Sequence, residues 1–277
     1  MLWTKLAYTE ILTYPKIMNL TPIPKAVLPK IPFVIGIDKA GNEIKLENKN
    51  RFGNSLILGG AGSGKTNLML NMILQDINCG NGVCFFDVMG ETTDLIISKI
   101  PENKKDKVLL LTPDLDYDTL DLDSAIKEDK IILVQALLGR DGIEKTKKFN
   151  RGLSNQLIKA IEKRNTTIFN TRPFFIYIDG FQYLVSDKVV ELIQNSQKHN
   201  VSFIFAHQFL LQLDKHDKET KNTILENTKS KYIFNCSNEN KEFLKNDFGN
   251  LEFETFKCNA KINNFDKVLV LGCEEVK

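Results

Sequence analysis

The chain is poor in the residues that most often betray a chemistry. It has one tryptophan and three histidines, and its five cysteines, Cys79, Cys84, Cys236, Cys258 and Cys273, show no CxxC spacing. With only His199, His207 and His216 beside them, the sequence argues against a structural zinc site, and the cysteines read as reduced core or surface thiols. No run of eighteen or more apolar residues occurs and the N-terminus lacks a signal-type apolar block, so no spanning or secreted segment is expected and the location reads as cytoplasmic. A formal net charge of only +2 neither requires nor forbids a nucleic-acid partner. What remains is 277 residues with 42% apolar content, enough to bury a large core.

One run stands out. Gly59-Gly60-Ala61-Gly62-Ser63-Gly64-Lys65-Thr66 follows the apolar strand Ser55–Leu58 and opens an apolar-periodic helix that continues through Asn67. It satisfies every fixed position of the phosphate-cradling P-loop. The glycines let backbone N–H groups wrap a phosphate, Lys65 reaches the β/γ oxygens, and the Thr66 hydroxyl is placed to ligand Mg²⁺ at the positive end of a helix. The expected ligands are therefore ATP and Mg²⁺, with Gly59 to Asn67 as the nucleotide-binding run.

Further along, the pattern predicts a proline-rich tail over residues 1–32, then one nucleotide-binding domain over 33–277. Its expected elements are a hairpin (33–37 and 43–46), strands at 83–87, 108–111, 130–134, 174–179, 201–206 and 231–236, and helices at 92–99, 144–163 and 188–198. Strands alternating with helices predict an α/β fold, a mostly parallel sheet with helices on both faces. Phe174–Asp179 is an apolar strand ending in a carboxylate. A strand-end aspartate alone is most often a cap, but beside a P-loop Asp179 reads as the second magnesium-shell group. The strand at 201–206 ends in His207-Gln208. If it lies between the strands of Lys65 and Asp179, Gln208 is placed to sense the γ-phosphate; His207 reads as a satisfied strand-end histidine.

These motifs, in their order from about Ile35 to Gly249, resemble the FtsK–HerA group of DNA-pumping ATPases, and most of all the TraG/TraD-type coupling ATPases of conjugative type IV secretion. The likeness rests on Leu56 to Thr66, on Gly82 to Glu91, on Phe174 to Gln182 and on Ala206-His207-Gln208 to Gln212-Leu213. It implies a RecA-like P-loop NTPase core, a homo-oligomeric ring of six with nucleotide sites between subunits, and DNA as the translocated substrate. Four departures carry weight. Gly180 stands where the group has a catalytic Glu; Gln197-Lys198 stands where it has Arg-Lys, the Arg reaching a neighbour's γ-phosphate, a contact worth about 10³ to 10⁵ in rate. The group's helical insert domain is reduced to an acidic connector at about 112–129, and its N-terminal membrane anchor has no counterpart here.

Glu91 lies 26 positions after Lys65, a spacing resembling that of the catalytic glutamate of RecA and the rotary ATPases; it reads as a substitute base or, equally, as a carboxylate favourable to the dipole of the helix at 92–99. The lysines and arginines of the helix at 144–163, and Lys104, Lys105 and Lys107, read as solvated faces. Two functions follow: an ATP-driven DNA motor, or a degenerate nucleotide-binding assembly module with little hydrolysis.

Overall fold

Short β-branched and aromatic runs set the frame of the molecule, here seen in a computed structural model that describes residues 33–90, 92–116, 119–164, 172–210, 218–251, 253–254, 257–265 and 268–272. The tail at 1–32 lies outside the described residues, as do His216, Cys273 and the Gln212-Leu213 end of the last motif. In chain order the strands are β1 (Phe33–Ile37), β2 (Glu43–Leu46), β3 (Ser55–Leu58), β4 (Gly82–Asp87), β5 (Val108–Leu111), β6 (Ile131–Gln135), β7 (Phe174–Asp179), β8 (Val201–His207), β9 (Ser230–Ile233), β10 (Lys257–Lys261) and β11 (Leu269–Gly272). The helices are α1 (Asn48–Arg51), α2 (Lys65–Cys79), α3 (Thr92–Lys99), α4 (Leu122–Lys127), α5 (Leu138–Asp141), α6 (Ile143–Glu162), α7 (Asp187–Asn195), α8 (Lys218–Glu226) and α9 (Asn238–Phe248).

All the described strands join one sheet in the order β2-β1-β11-β10-β9-β3-β8-β7-β4-β6-β5. The run from β9 to β5 is parallel, and the run from β2 to β10 is antiparallel. β10 joins the two halves by pairing antiparallel with β9. Central strands such as β3, β4 and β6 are buried along their whole length, as expected for strands covered on both faces. One apolar layer, with α2 and α3, contains Leu68, Met72, Ile73, Ile96, Phe85 and Tyr177. The opposite layer, with α4, α6 and α7, contains Leu122, Phe149, Leu153, Leu157, Ile161 and Ile193.

Three expectations need adjustment. The helix expected at 188–198 ends at Asn195 and tightens into a 3₁₀ turn over Ser196–His199. The strand expected to reach Cys236 ends at Ile233, because the chain there turns to meet the P-loop. The acidic connector contains α4, whose Asp121 carboxylate accepts a hydrogen bond from the Ser124 N–H and so caps it.

Candidate functional site

The P-loop leaves β3 under tight steric control. Gly59 donates its N–H to the His207 carbonyl at 3.2 Å and Gly60 donates to that of Asn235 at 2.7 Å. A Cβ on Gly59 would stand 2.6 Å from Ser63 Oγ and 2.7 Å from Phe234 Cβ, so only glycine fits. Gly62 and Gly64 hold φ values of 67° and 108°, the left-handed region that glycine enters without a Cβ penalty. From there Leu68 N–H donates to the Gly64 carbonyl at 3.0 Å and starts α2. Ala61, Gly62 and Thr66 are exposed on the rim. Lys65 is buried, and its Nζ donates to the Gly60 carbonyl at 2.7 Å. Burial lowers the Lys65 pKa, with Asp179 countering.

The parallel registers bring the chemistry to one edge. Leu58 is paired with His207, Ala206 with Asp179, and Asp179 with Asp87, so β8 does lie between the strands of Lys65 and Asp179. Burial raises the Asp179 carboxyl to a pKa of about 6, against the pull of Lys65 and with a further push from Asp87. Asp87 itself is fully engaged: Oδ1 accepts from Gly90 N–H at 2.7 Å, and Oδ2 accepts from the N–H groups of Thr92 and Thr93 and from the Thr93 hydroxyl. It caps α3, the helix whose dipole Glu91 was the expected carboxylate to face. Glu91 lies outside the described residues. Among the described residues no group of three His, Cys, Asp or Glu side chains is arranged to hold a metal. A magnesium ion here would therefore need Thr66, Asp179 and ligand oxygens together, the donor set suited to that ion.

The end of β8 corrects the reading of His207. The residue is 3% exposed, and neither ring nitrogen has a hydrogen-bond partner among the described residues, so it is not a satisfied histidine. Gln208 follows, half-buried. A residue the sequence does not signal fixes this segment: Asn240 of α9, 1% exposed, donates from Nδ2 to the Gln208 carbonyl at 2.8 Å and accepts from Leu210 N–H at 3.1 Å. Nothing in its local sequence distinguishes it from a surface asparagine.

Gly180 has φ of 79°. A Cβ there would meet only the Tyr183 ring at 3.4 Å and Val88 at 3.7 Å, so room exists but the backbone is one that L residues seldom adopt. Gln197 is exposed in the turn before β8, which places it at the opposite end of the parallel strands from Lys65. On α6 the stripe Phe149, Leu153, Leu157 and Ile161 is buried, as its spacing predicts. Lys145 pairs with Asp114 at 2.7 Å. Two cations depart from a merely solvated face. Arg164, beyond the helix, donates to the Arg172 carbonyl at 2.7 Å and lies over the Phe174 ring. Lys104 donates to the Ile77 and Asn78 carbonyls at the end of α2, where a cation suits the helix dipole.

No family model and no curated protein matches the chain. Solved structures do. VirB4 of Thermoanaerobacter pseudethanolicus superposes with a TM-score of 0.64 at 10% identity, covering 88% of this chain and 96% of that one. The bacterial conjugative coupling protein TrwB, lacking its N-terminal segment, gives 0.65 at 8% identity over 90% of each chain. The genome packaging NTPase B204 of Sulfolobus turreted icosahedral virus 2, solved with ATPγS, gives 0.53 at 11% identity, covering 83% of this chain and all 100% of its own. No helix among the described residues is long and apolar enough to cross a membrane. At these identities the likeness is one of fold: the chain shares the RecA-like α/β fold of these solved structures.

Proposed function

We propose that this chain is the nucleotide-binding core of a translocating ATPase, binding Mg-ATP between Gly59 and Asn67 and working on DNA as a homo-oligomeric ring, six subunits being the number the resemblance implies. The observation that supports it most is the approach of two charges across the end of β8, buried Lys65 at the start of α2 and half-buried Asp179 at the end of β7. In this reading the loop N–H groups and Lys65 hold the β- and γ-phosphates, Thr66 and Asp179 hold the ion, and Gln208 faces the terminal phosphate. The ion supplies charge neutralisation at the phosphates. Two proteins of this fold have been solved with nucleotide ligands, B204 with ATPγS and TrwB with GDPNP.

One observation favours the slower of the two functions. Gly180 offers no carboxylate, and the neighbouring Asp87 commits both oxygens to α3. Without a base, hydrolysis falls by about 10² to 10⁴. The wild type should therefore turn over far below about 1 s⁻¹, the lower end of ordinary enzymes, with or without DNA. The double change Gly180→Glu with Gln197→Arg should raise the rate more than either single change, at a stability cost of about 1–2 kcal/mol for a side chain at positive φ. A steady-state ATPase assay of all four proteins decides it. Wild-type turnover near about 1 s⁻¹ that Glu91→Gln abolishes would make Glu91 the base and the chain a working motor.

A further inference from the structure

Gly60 is held at both of its ends. Its N–H donates to the Asn235 carbonyl at 2.7 Å, and its own carbonyl accepts from Lys65 Nζ at 2.7 Å. In the function proposed above Lys65 turns to the phosphates of a bound nucleotide, so the ligand and the Gly60 carbonyl compete for one ammonium. Packing does not fix Gly60 in place: among the described residues a Cβ there would meet only the Asn235 carbonyl oxygen, at 3.5 Å. Nucleotide therefore leaves Gly60 with one anchor, the Asn235 carbonyl.

That anchor leads to the chain leaving β8. Phe234, just before it, donates its N–H to the Leu58 carbonyl at 2.8 Å, and a Cβ on Gly59 or Gly64 would meet its side chain at 2.7 or 3.1 Å. Just beyond it Ser237 caps α9, its hydroxyl accepting from the Asn240 N–H at 3.4 Å. Asn240 stands in the first turn of α9, 1% exposed. Its carboxamide grips the segment after β8 at two points, donating to the Gln208 carbonyl at 2.8 Å and accepting from the Leu210 N–H at 3.1 Å. Gly59 closes the circuit by donating to the His207 carbonyl at 3.2 Å. A carbonyl and an N–H gripped together call for one donor and one acceptor side by side, which a carboxamide has and a carboxylate lacks. Between the two gripped groups the Phe209 side chain is 41% exposed.

We propose that Asn240 is the positioning residue that makes the chain at Gln208–Leu210 follow the occupancy of the phosphate loop. Nucleotide draws Lys65 from the Gly60 carbonyl, Gly60 shifts on its Asn235 anchor, and the start of α9 carries the shift through the Asn240 carboxamide to Gln208 and Leu210, turning the exposed Phe209. The inference rests on the nucleotide site proposed above, and the experiment separates the two.

The test uses the full chain with one reporter. Trp3→Phe removes the only tryptophan of the sequence, and Phe209→Trp introduces one between the two gripped groups. This reporter protein is compared with versions that also carry Asn240→Ala, Asn240→Asp or Ser237→Ala, each titrated with Mg-ATPγS by calorimetry and by the emission of the introduced tryptophan. Emission should change in step with calorimetric binding. Asn240→Ala, which lacks both bonds, and Asn240→Asp, which lacks the donor, should still bind Mg-ATPγS but show a change at least about fivefold smaller. Ser237→Ala loosens the start of α9 without touching the carboxamide and should keep the change, whereas a merely structural role for Asn240 predicts the same loss in both. An emission change that survives Asn240→Ala, or that Ser237→Ala removes equally, overturns the inference and leaves the nucleotide site standing; no binding by wild type overturns both. The wild-type chain gives a check independent of every variant: exchange of the Leu210 amide should change at least about fivefold on adding Mg-ATPγS, and an unchanged rate in protein that binds the nucleotide contradicts the proposal.

Discussion

Two charge clusters sit around the same strand, at Tyr177 and Asp179 of β7, and they are built on opposite plans. Around Tyr177, the Arg51 guanidinium lies between the rings of Phe33 and Phe175, 3.6 and 3.8 Å from their centroids. Asp76 accepts from Arg51 Nη1 and Nη2 at 2.5 and 2.7 Å, from Asn81 Nδ2 at 2.7 Å and from the Tyr177 hydroxyl. Within that cluster the Arg51 Nε is left without a partner among the described residues. Around Asp179, by contrast, Lys65 has a single carbonyl, Asp179 is pushed to a pKa of about 6 by burial, and the His207 ring has no partner among the described residues. The first cluster is fully buried and almost fully paired; the second has a half-buried carboxylate and few partners. A cluster with all but one of its side-chain donors matched serves as scaffold, whereas one short of several partners, in the function proposed above, holds its deficit for a ligand.

Breaking the saturated cluster should have the largest effect. Arg51→Met leaves the Asp76 carboxylate buried without its counter-ion and should cost about 3–5 kcal/mol in urea unfolding. Adding Asp76→Leu should return much of it, because removing both charges also removes the desolvation penalty. Failure of the second change to recover stability would mean that the cluster's packing matters more than its charge balance.

The unsaturated cluster should respond with the opposite sign. The folded-state pKa of Asp179, about 6, lies above the ordinary aspartate value of 3.8. Between those values the folded protein holds more protons than the unfolded chain, so stability falls as pH rises from about 4 to 6 and stays lowered above that. Asp179→Asn should therefore stabilise the nucleotide-free protein by about 1–2 kcal/mol at pH 8, discounted for partial exposure, and flatten the slope below pH 6. Unfolding curves at pH 5 and pH 8 check it. A loss of stability at pH 8 would place Asp179 with the saturated kind.

The smallest effect concerns the segment after β8. Asn240→Ala removes one donor and one acceptor that hold the Gln208 carbonyl and the Leu210 amide, and should cost about 1 kcal/mol. Hydrogen exchange should show the Leu210 amide losing protection while the amides within β8 keep theirs.

Much of this is legible in the sequence, for identifiable reasons. The strand ends Leu58, Asp87, Asp179 and His207 are readable because apolar runs stop at a glycine or a polar side chain, and parallel pairing then brings such ends to one edge. Of the antiparallel half the hairpin of β1 and β2 is legible, but the C-terminal strands β10 and β11 are not. Lys257–Lys261 reads Lys-Cys-Asn-Ala-Lys, with too little apolar signal to mark a strand, yet Cys258 and Ala260 are buried because β9 and β11 flank them. Arg51 and Asp76 read as ordinary charges of a loop and a helix; 25 residues of separation hide a pair that only tertiary packing creates. The open ring of His207 escapes the sequence for the same kind of reason, since whether a ring nitrogen finds a partner depends on residues distant in the chain.

The central claim is that the deficit around Lys65 is there for a nucleotide. Calorimetric titration of Mg-ATP into wild type and Lys65→Ala tests it most directly. The account predicts magnesium-dependent binding to wild type, weakened at least about 10-fold in Lys65→Ala, with the variant's melting temperature no lower than wild type's because the Lys65 ammonium bonds to a loop carbonyl and not to the core. Equal affinity in the two proteins, or no binding by wild type, would contradict it.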